Sequence, residues 1–172
     1  TLFRSSTTLA TTAYMLSGRE KYRDWSLEYT DAWIERMERN DGILPDNVGL
    51  SGQVGEHIEG RWYGANYGWT WPHGWHTIGQ AAVIAAENAT LLTGDRDYLE
   101  LLRSQIKVLA SNGIRKGEKL YVPHKYGTPG KVEYKPWHWL DVLRNDDGKE
   151  RKPGMKPREY VGTALQQEGW FH

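Results

Sequence analysis

Between Gly60 and His76 the chain reads Gly-Arg-Trp-Tyr-Gly-Ala-Asn-Tyr-Gly-Trp-Thr-Trp-Pro-His-Gly-Trp-His, its densest run of chemically capable side chains. Sugar rings present flat C–H faces that aromatic rings bury by stacking, while Arg, Asn, His and Tyr hydrogen-bond hydroxyl and carboxylate groups. Trp62, Trp69, Trp71 and Trp75 are therefore candidate stacking platforms. The alternative is that they fill a core beneath a long glycine-rich loop, as large aromatic side chains often do. The interspersed glycines permit tight turns that aim their neighbours, and so favour a contact surface.

Arg61 can hold a uronate carboxylate in a bidentate fork, or it can pair with Glu56 or Glu59. Asn66 is a second candidate for offsetting the carboxylate charge. His73 and His76 are three residues apart at an expected helix start, a spacing that places both on one side. An imidazole titrates near neutral pH and can take a proton from the carbon beside a carboxylate. Tyr63 or Tyr67 can then donate to the departing oxygen. Together these groups would perform β-elimination on a uronate. A metal centre would need a third ligand, such as His57 or Glu59, and an open position. Acid–base work without a metal or other cofactor is the simpler expectation.

Hydrolysis would instead use two carboxylates, with Asp41, Asp46, Glu56 and Glu59 available on the same segment, and their separation would set the stereochemical outcome. The stretch Asp41-Gly42-Ile43-Leu44-Pro45-Asp46-Asn47 suits a structural turn equally well. A second aromatic group, Tyr121, His124, Lys125, Tyr126, Trp137, His138 and Trp139, is either the opposite wall of a cleft or a packed hairpin with cross-strand aromatic pairs.

The elements that must position these residues are mostly helical. Leu16-Ser17-Gly18-Arg19-Glu20-Lys21-Tyr22 and Leu92-Thr93-Gly94-Asp95-Arg96-Asp97-Tyr98 repeat the pattern L-[ST]-G-x-x-x-Y at an offset of 76 residues. Ile78, Ala82, Ala85, Ala89 and Leu92 precede the second copy at helical spacing, and Leu99, Leu102, Ile106 and Leu109 follow it. Around the first copy, a shorter helix over 8–16 is followed by a stripe of Tyr22, Trp25, Tyr29, Trp33 and Met37. Gly94 closes one helix and Asp95 caps the next. Each copy thus marks a helical hairpin.

Residues 39–75 carry turn signals and no period, which predicts a long aromatic, glycine-rich insert. Within 117–140, Lys119–Pro123 and Lys131–Tyr134 predict a small β-hairpin around Gly127-Thr128-Pro129-Gly130. A charged surface loop over 144–156 and a final helix over 157–167 complete the expected order. The fold class is all-α dominated, and 172 residues suit one domain. Both ends look cut, so a fragment of a larger polypeptide is expected.

Composition narrows the partners. Nine Trp and ten Tyr against two Phe favour rings with a hydrogen-bonding tip, which suits a wet stacking surface more than a dry core. Lys plus Arg equal Asp plus Glu at 22 each, so the footprint of a nucleic-acid binder is missing. Mean hydropathy is −0.72, and no run approaches the ~20 apolar residues of a spanning helix. Absence of Cys removes disulfides and thiolate metal sites.

The repeat, the Asp41–Asn47 stretch, and Trp62-Tyr63-Gly64 through Trp71-Pro72-His73-Gly74 together resemble the helical-toroid part of large bacterial polysaccharide-degrading proteins. They are similar in style to (α/α)-toroid polysaccharide lyases, including those that cleave rhamnose–glucuronate linkages. The resemblance spans about Thr1 to Asn112. It implies an incomplete (α/α) toroid whose remaining hairpins belong to the parent chain, an acidic polysaccharide or oligosaccharide as partner, and a periplasmic or extracellular location. It also implies a Tyr or His acid–base pair and an Arg or Asn that neutralises the uronate, with candidates at Tyr63, Tyr67, His73, His76, Arg61 and Asn66. A glycoside hydrolase, a non-catalytic carbohydrate-binding segment and a monosaccharide epimerase on the same scaffold are the rivals.

Overall fold

The computed structural model describes residues 2–65, 68–70, 74–127 and 137–139. Helices α1 (Leu2–Ser17), α2 (Glu20–Glu38), α3 (Gly74–Thr93) and α4 (Glu100–Ser111) dominate them, with a single 3-10 turn at Asp97–Leu99 leading into α4. Short strands β1 (Ile114–Lys116), β2 (Lys119–Tyr121), β3 (Pro123–Tyr126) and β4 (Trp137–Trp139) follow. Among the described residues no helix is long and apolar enough to cross a membrane.

The two repeat copies end their helices in the same way, bond for bond. Gly18 and Gly94 have φ of +64° and +74°, and the N–H of each is donated to the carbonyl four residues back, at 2.7 Å in both cases. The preceding hydroxyl does two jobs. Ser17 Oγ donates to the Ala13 carbonyl at 2.5 Å and accepts the Arg19 N–H at 3.3 Å. Thr93 Oγ1 donates to the Ala89 carbonyl at 2.8 Å and accepts the Asp95 N–H at 3.0 Å. The hydroxyl satisfies one of the orphan carbonyls at the helix end while glycine takes the left-handed turn without a Cβ clash. Asp95 then accepts the Asp97 N–H at 2.9 Å, so its carboxylate caps the chain entering the 3-10 turn.

Two helical hairpins result, α1–α2 and α3–α4, and they pack side by side with α1 against both α2 and α3. The α1–α2 seam is built from small polar residues: Thr7, Thr11, Ser26 and Thr30 are all buried, and the Thr11 and Ser26 hydroxyls lie 3.4 Å apart. Thr30 Oγ1 donates to the Ser26 carbonyl at 2.8 Å, which satisfies a buried hydroxyl within the helix. The expected stripe does lie on one helix, but little of it is buried. Of Tyr22, Trp25, Tyr29, Trp33 and Met37 only Met37 is buried, and Trp25 is 42 % exposed. Helices that approach through small side chains leave no room for indoles between them, so Trp25 and Tyr29 stand on the flank while Trp33 packs, partly buried, against the core. Trp25 stacks on Tyr29 at 5.1 Å, and Tyr29 meets Trp33 edge-on at 6.3 Å.

The core lies where α3 meets α4 and the insert. Ala82, Ala85, Ala86 and Ala89 of α3 are fully buried, as are Leu101 and Leu102 of α4. The insert threads Leu44 and Pro45 into this core. Gln105 of α4, also fully buried, anchors them: its Oε1 accepts the Leu44 N–H at 2.8 Å and its Nε2 donates to the Gly42 carbonyl at 2.8 Å. The described part of the insert is otherwise a succession of turns with a bridge between Val48 and Val54, pinned to α2 by Arg36 Nε on the Gly52 carbonyl at 3.0 Å.

The strands pair differently from the sequence expectation. β2 turns back on β1 through Gly117-Glu118, with Leu120 opposite Arg115, and β3 pairs antiparallel with β4, with Tyr126 opposite Trp137. Two small hairpins stand among the described residues where one was expected, and the expected second strand, Lys131–Tyr134, lies outside the described residues. The two-residue Gly-containing connection is the tighter and more local closure, and it claims β2.

Candidate functional site

The insert and the second hairpin bring the two aromatic-rich segments together into one cluster. Trp62 packs on Tyr63 at 5.1 Å and on Tyr126 at 4.5 Å, and Tyr63 meets Tyr126 edge-on at 4.8 Å. Trp137 stands edge-on to Tyr126 at 4.7 Å and to Trp69 at 5.8 Å. Below them Trp69 stacks with Trp75 at 6.3 Å. Edge-to-face contacts predominate, the arrangement that ring quadrupoles favour. The β3 backbone is tied to the loop by the Tyr126 N–H, donated to the Trp69 carbonyl at 2.9 Å.

Depth divides the cluster into a floor and a rim. Trp69 is 0 % exposed and its indole N–H is donated to the Leu44 carbonyl at 2.7 Å, while Trp75, in the first turn of α3, is also buried. These two expected platforms are core side chains whose faces meet protein. Trp62, Tyr63, Tyr126 and Trp137 are partly buried against that core and form the rim. Burial raises the Tyr126 phenol above its ordinary pKa, with the neighbouring Tyr63 adding to the effect.

Asp46 holds the loop in place. Its Oδ1 accepts the Ala65 N–H at 3.1 Å and its Oδ2 accepts the N–H of Trp69. The N–H groups of Asp46 and Asn47 are donated to the Trp62 carbonyl at 2.9 and 3.2 Å. Desolvation outweighs these backbone donors and pushes the Asp46 carboxyl up from 3.8 to about 6. A carboxyl near that value exchanges a proton close to neutral pH, but both oxygens are already engaged by backbone N–H groups. The chain approaches so closely here that a Cβ on Gly68 would lie 1.9 Å from Asp46 Oδ2.

The other expected residues make none of these ring contacts. Arg61 is half-buried, its Nε directed at the Ile58 carbonyl at 3.4 Å, and the Glu56 carboxylate accepts from Ser51. The pairing of Arg61 with Glu56 or Glu59 does not occur among the described ion pairs. His76 is exposed on α3 and its Nε2 lies 2.9 Å from Gln80 Nε2, one turn along the same helix. Asn66, Tyr67, Trp71 and His73 lie outside the described residues, as do the expected surface loop over 144–156 and the helix over 157–167. Among the described residues no three His, Cys, Asp or Glu side chains gather as metal ligands would.

The arrangement therefore offers a partly open aromatic rim containing two phenols, Tyr63 and Tyr126, with Arg61 two residues before Tyr63 in sequence. Tyr126 and Trp137 belong to this rim although they stood only in the second sequence cluster. Their signal was the density of aromatic residues in that second cluster, which suited a cleft wall or a packed hairpin alike. The role of Asp46 was foreshadowed only by its setting beside Asn47 and ahead of a glycine-rich segment, where a carboxylate collects backbone donors.

Residues 3–172 match the family described as Domain of unknown function (DUF8034), and the chain belongs to that family. No curated protein and no solved structure matches the chain.

Proposed function

We propose that the chain is part of an (α/α)-toroid protein that degrades an acidic, uronate-containing polysaccharide, by β-elimination in preference to hydrolysis. The observation that supports this best is the shared rim: Trp62 and Tyr63 from the insert and Tyr126 and Trp137 from the second hairpin form one partly open aromatic surface. Such a surface suits the C–H faces of sugar rings, and its Trp and Tyr composition keeps hydrogen-bonding groups at the edge. The remaining hairpins of the toroid would supply the facing wall. A periplasmic or extracellular location goes with this substrate class.

In the elimination, a base takes the proton from C5 of the uronate and the electron pair becomes the C4–C5 double bond. The C4–O bond breaks, and its oxygen receives a proton from the acid. Tyr63 is the acid, placed on the rim with a phenol that accompanies the sugar face. Arg61 offsets the carboxylate charge, which is the electrostatic stabilisation the developing carbanion requires. His76 and His73 are the base candidates.

Hydrolysis is the second reading, and Asp46 favours it, because a carboxyl raised to about 6 has the pKa of a general acid. Its engagement with Ala65 and Trp69 ranks it below elimination. The test is to incubate the protein with a panel of uronate-containing polysaccharides and follow ultraviolet absorbance together with new reducing ends. Absorbance from unsaturated uronates supports elimination. Reducing ends without it transfer the reading to hydrolysis, and saturable binding with neither signal transfers it to a carbohydrate-binding segment.

A further inference from the structure

The β1–β2 hairpin collects positive charge in a chain that is neutral as a whole. Between Arg115 and Lys125 the cations Arg115, Lys116, Lys119 and Lys125 face one acidic residue, Glu118, whereas Lys plus Arg and Asp plus Glu number 22 each in the full sequence. Arg115, Lys116, Gly117 and Glu118 are all exposed. On the helices, Arg23, Arg39, Arg103 and Lys107 each pair with a carboxylate. Among the described ion pairs, none involves Arg115, Lys116 or Glu118.

The register makes this arrangement unfavourable by itself. Gly117, with φ of +60°, and Glu118 form the two-residue connection, and the pairing sets Ile114 opposite Tyr121, Arg115 opposite Leu120 and Lys116 opposite Lys119. Directly opposed residues stand on one face of a hairpin with their Cα atoms about 4.5–5.5 Å apart. Like charges at opposed positions destabilise the pairing. Where a carboxylate would relieve this, Lys116 Nζ has the Tyr121 ring, 5.2 Å from its centroid. A ring face attracts an ammonium through its quadrupole but leaves the positive charge uncompensated.

We propose that this end of the hairpin binds a uronate carboxylate of the polysaccharide, several sugars away from those on the aromatic rim. A carboxylate set at the Lys116–Lys119 positions removes the repulsion between them. The hairpin is also continuous with the rim: β2 passes into β3 with only Val122 between, and β3 ends on Tyr126. Lys119 stands seven residues before Tyr126, at most ~25 Å of extended chain. An oligosaccharide of several sugars spans that distance. Nucleic acid is the poorer ligand, because its binders carry a basic excess over the whole domain, and this chain has none. The identity of the anion rests on the polysaccharide reading above, and its place rests on the hairpin.

The test uses the natural polypeptide carrying this chain, in a Tyr63→Phe background so that turnover does not consume the probe, titrated calorimetrically with a defined oligoglucuronate. Lys116→Gln should weaken binding roughly twofold to fivefold and make it less sensitive to salt, and Lys116→Glu should weaken it further. A neutral oligosaccharide should bind all three proteins equally. The Tm of Lys116→Gln should hold or rise, because the like-charge pair is gone. Unchanged affinity for oligoglucuronate overturns the proposal. So does a fall in Tm, which would give Lys116 a partner within the chain. Aggregation of Lys116→Gln also overturns it, by making the lysines guards of an exposed strand edge. Single-stranded DNA bound more tightly through the same lysine would reassign the site to nucleic acid. Lysine-dependent binding without any unsaturated product from the natural protein keeps this subsite and removes the lyase chemistry. Elimination with the Lys116→Gln affinity intact does the reverse.

Discussion

Asp46 and Trp69 hold each other's segments from both sides. The Asp46 carboxylate accepts the backbone N–H of Trp69, and the Trp69 indole N–H is donated to the carbonyl of Leu44, two residues before Asp46. Through this reciprocal pair the loop that carries Trp62 and Tyr63 is fastened to the segment that Gln105 anchors on α4.

The Asp46 carboxyl makes the stability of this arrangement depend on pH. Its folded pKa of about 6 lies above the ordinary 3.8, so the folded chain holds the proton more tightly than the unfolded chain does. The stability it contributes is fully present below 3.8 and is lost as pH rises through about 6, amounting to about 3 kcal/mol at most. Denaturant unfolding from pH 4 to pH 7 should show this slope in the natural chain and lack it in Asp46→Asn. At pH 4 the Asn variant should also be less stable by about 1–3 kcal/mol, because its amide N–H₂ would face a backbone donor.

Gly68→Ala places a Cβ 1.9 Å from Asp46 Oδ2. The carboxylate must then leave its position, so the variant should lose the same pH slope as Asp46→Asn. The loss should come with changed near-ultraviolet circular dichroism from the Trp62–Trp69 pair, whose rings lie 6.1 Å apart.

Gln105→Ala removes the acceptor of the Leu44 N–H, while the Gly42 carbonyl keeps the Ser104 hydroxyl at 2.6 Å. One buried donor is orphaned and a cavity opens. Chemical denaturation should register a loss of about 2–4 kcal/mol.

Gly18→Ala and Gly94→Ala test the repeat. A Cβ at either position meets nothing within 4 Å, so only the left-handed backbone opposes it. Each variant should lose about 1–2 kcal/mol, and the two losses should agree closely. A large inequality would mean that the two turns bear different loads.

For the proposed chemistry, Tyr63→Phe should keep the ring packing with Trp62 and Tyr126 while lowering turnover by roughly 10²–10⁴-fold. Trp62→Ala should act mainly on KM, since it removes stacking area and no proton donor. Steady-state kinetics on a responsive uronate polysaccharide separates the two.

What the sequence determined by itself was local. The L-[ST]-G pattern dictated two identical helix ends, because a hydroxyl, a glycine and the last carbonyls lie within one turn of each other. The spacing of Ile78, Ala82, Ala85 and Ala89 marked the buried side of α3, and the long turn-rich insert was legible from its glycines. Tertiary structure decided the rest. Nothing in the sequence separates Trp69, fully buried, from Trp62 on the rim, since both stand among the same glycines and aromatics. The stripe of α2 did not reveal its own burial, which depends on Thr7, Thr11, Ser26 and Thr30 filling the α1–α2 seam. Leu120 pairs with Arg115 because the two-residue turn at Gly117-Glu118 brings β2 back on β1. Burial, pairing and the Asp46 proton are all sums over contacts between residues far apart in the chain, whereas a helix end is a contact between neighbours.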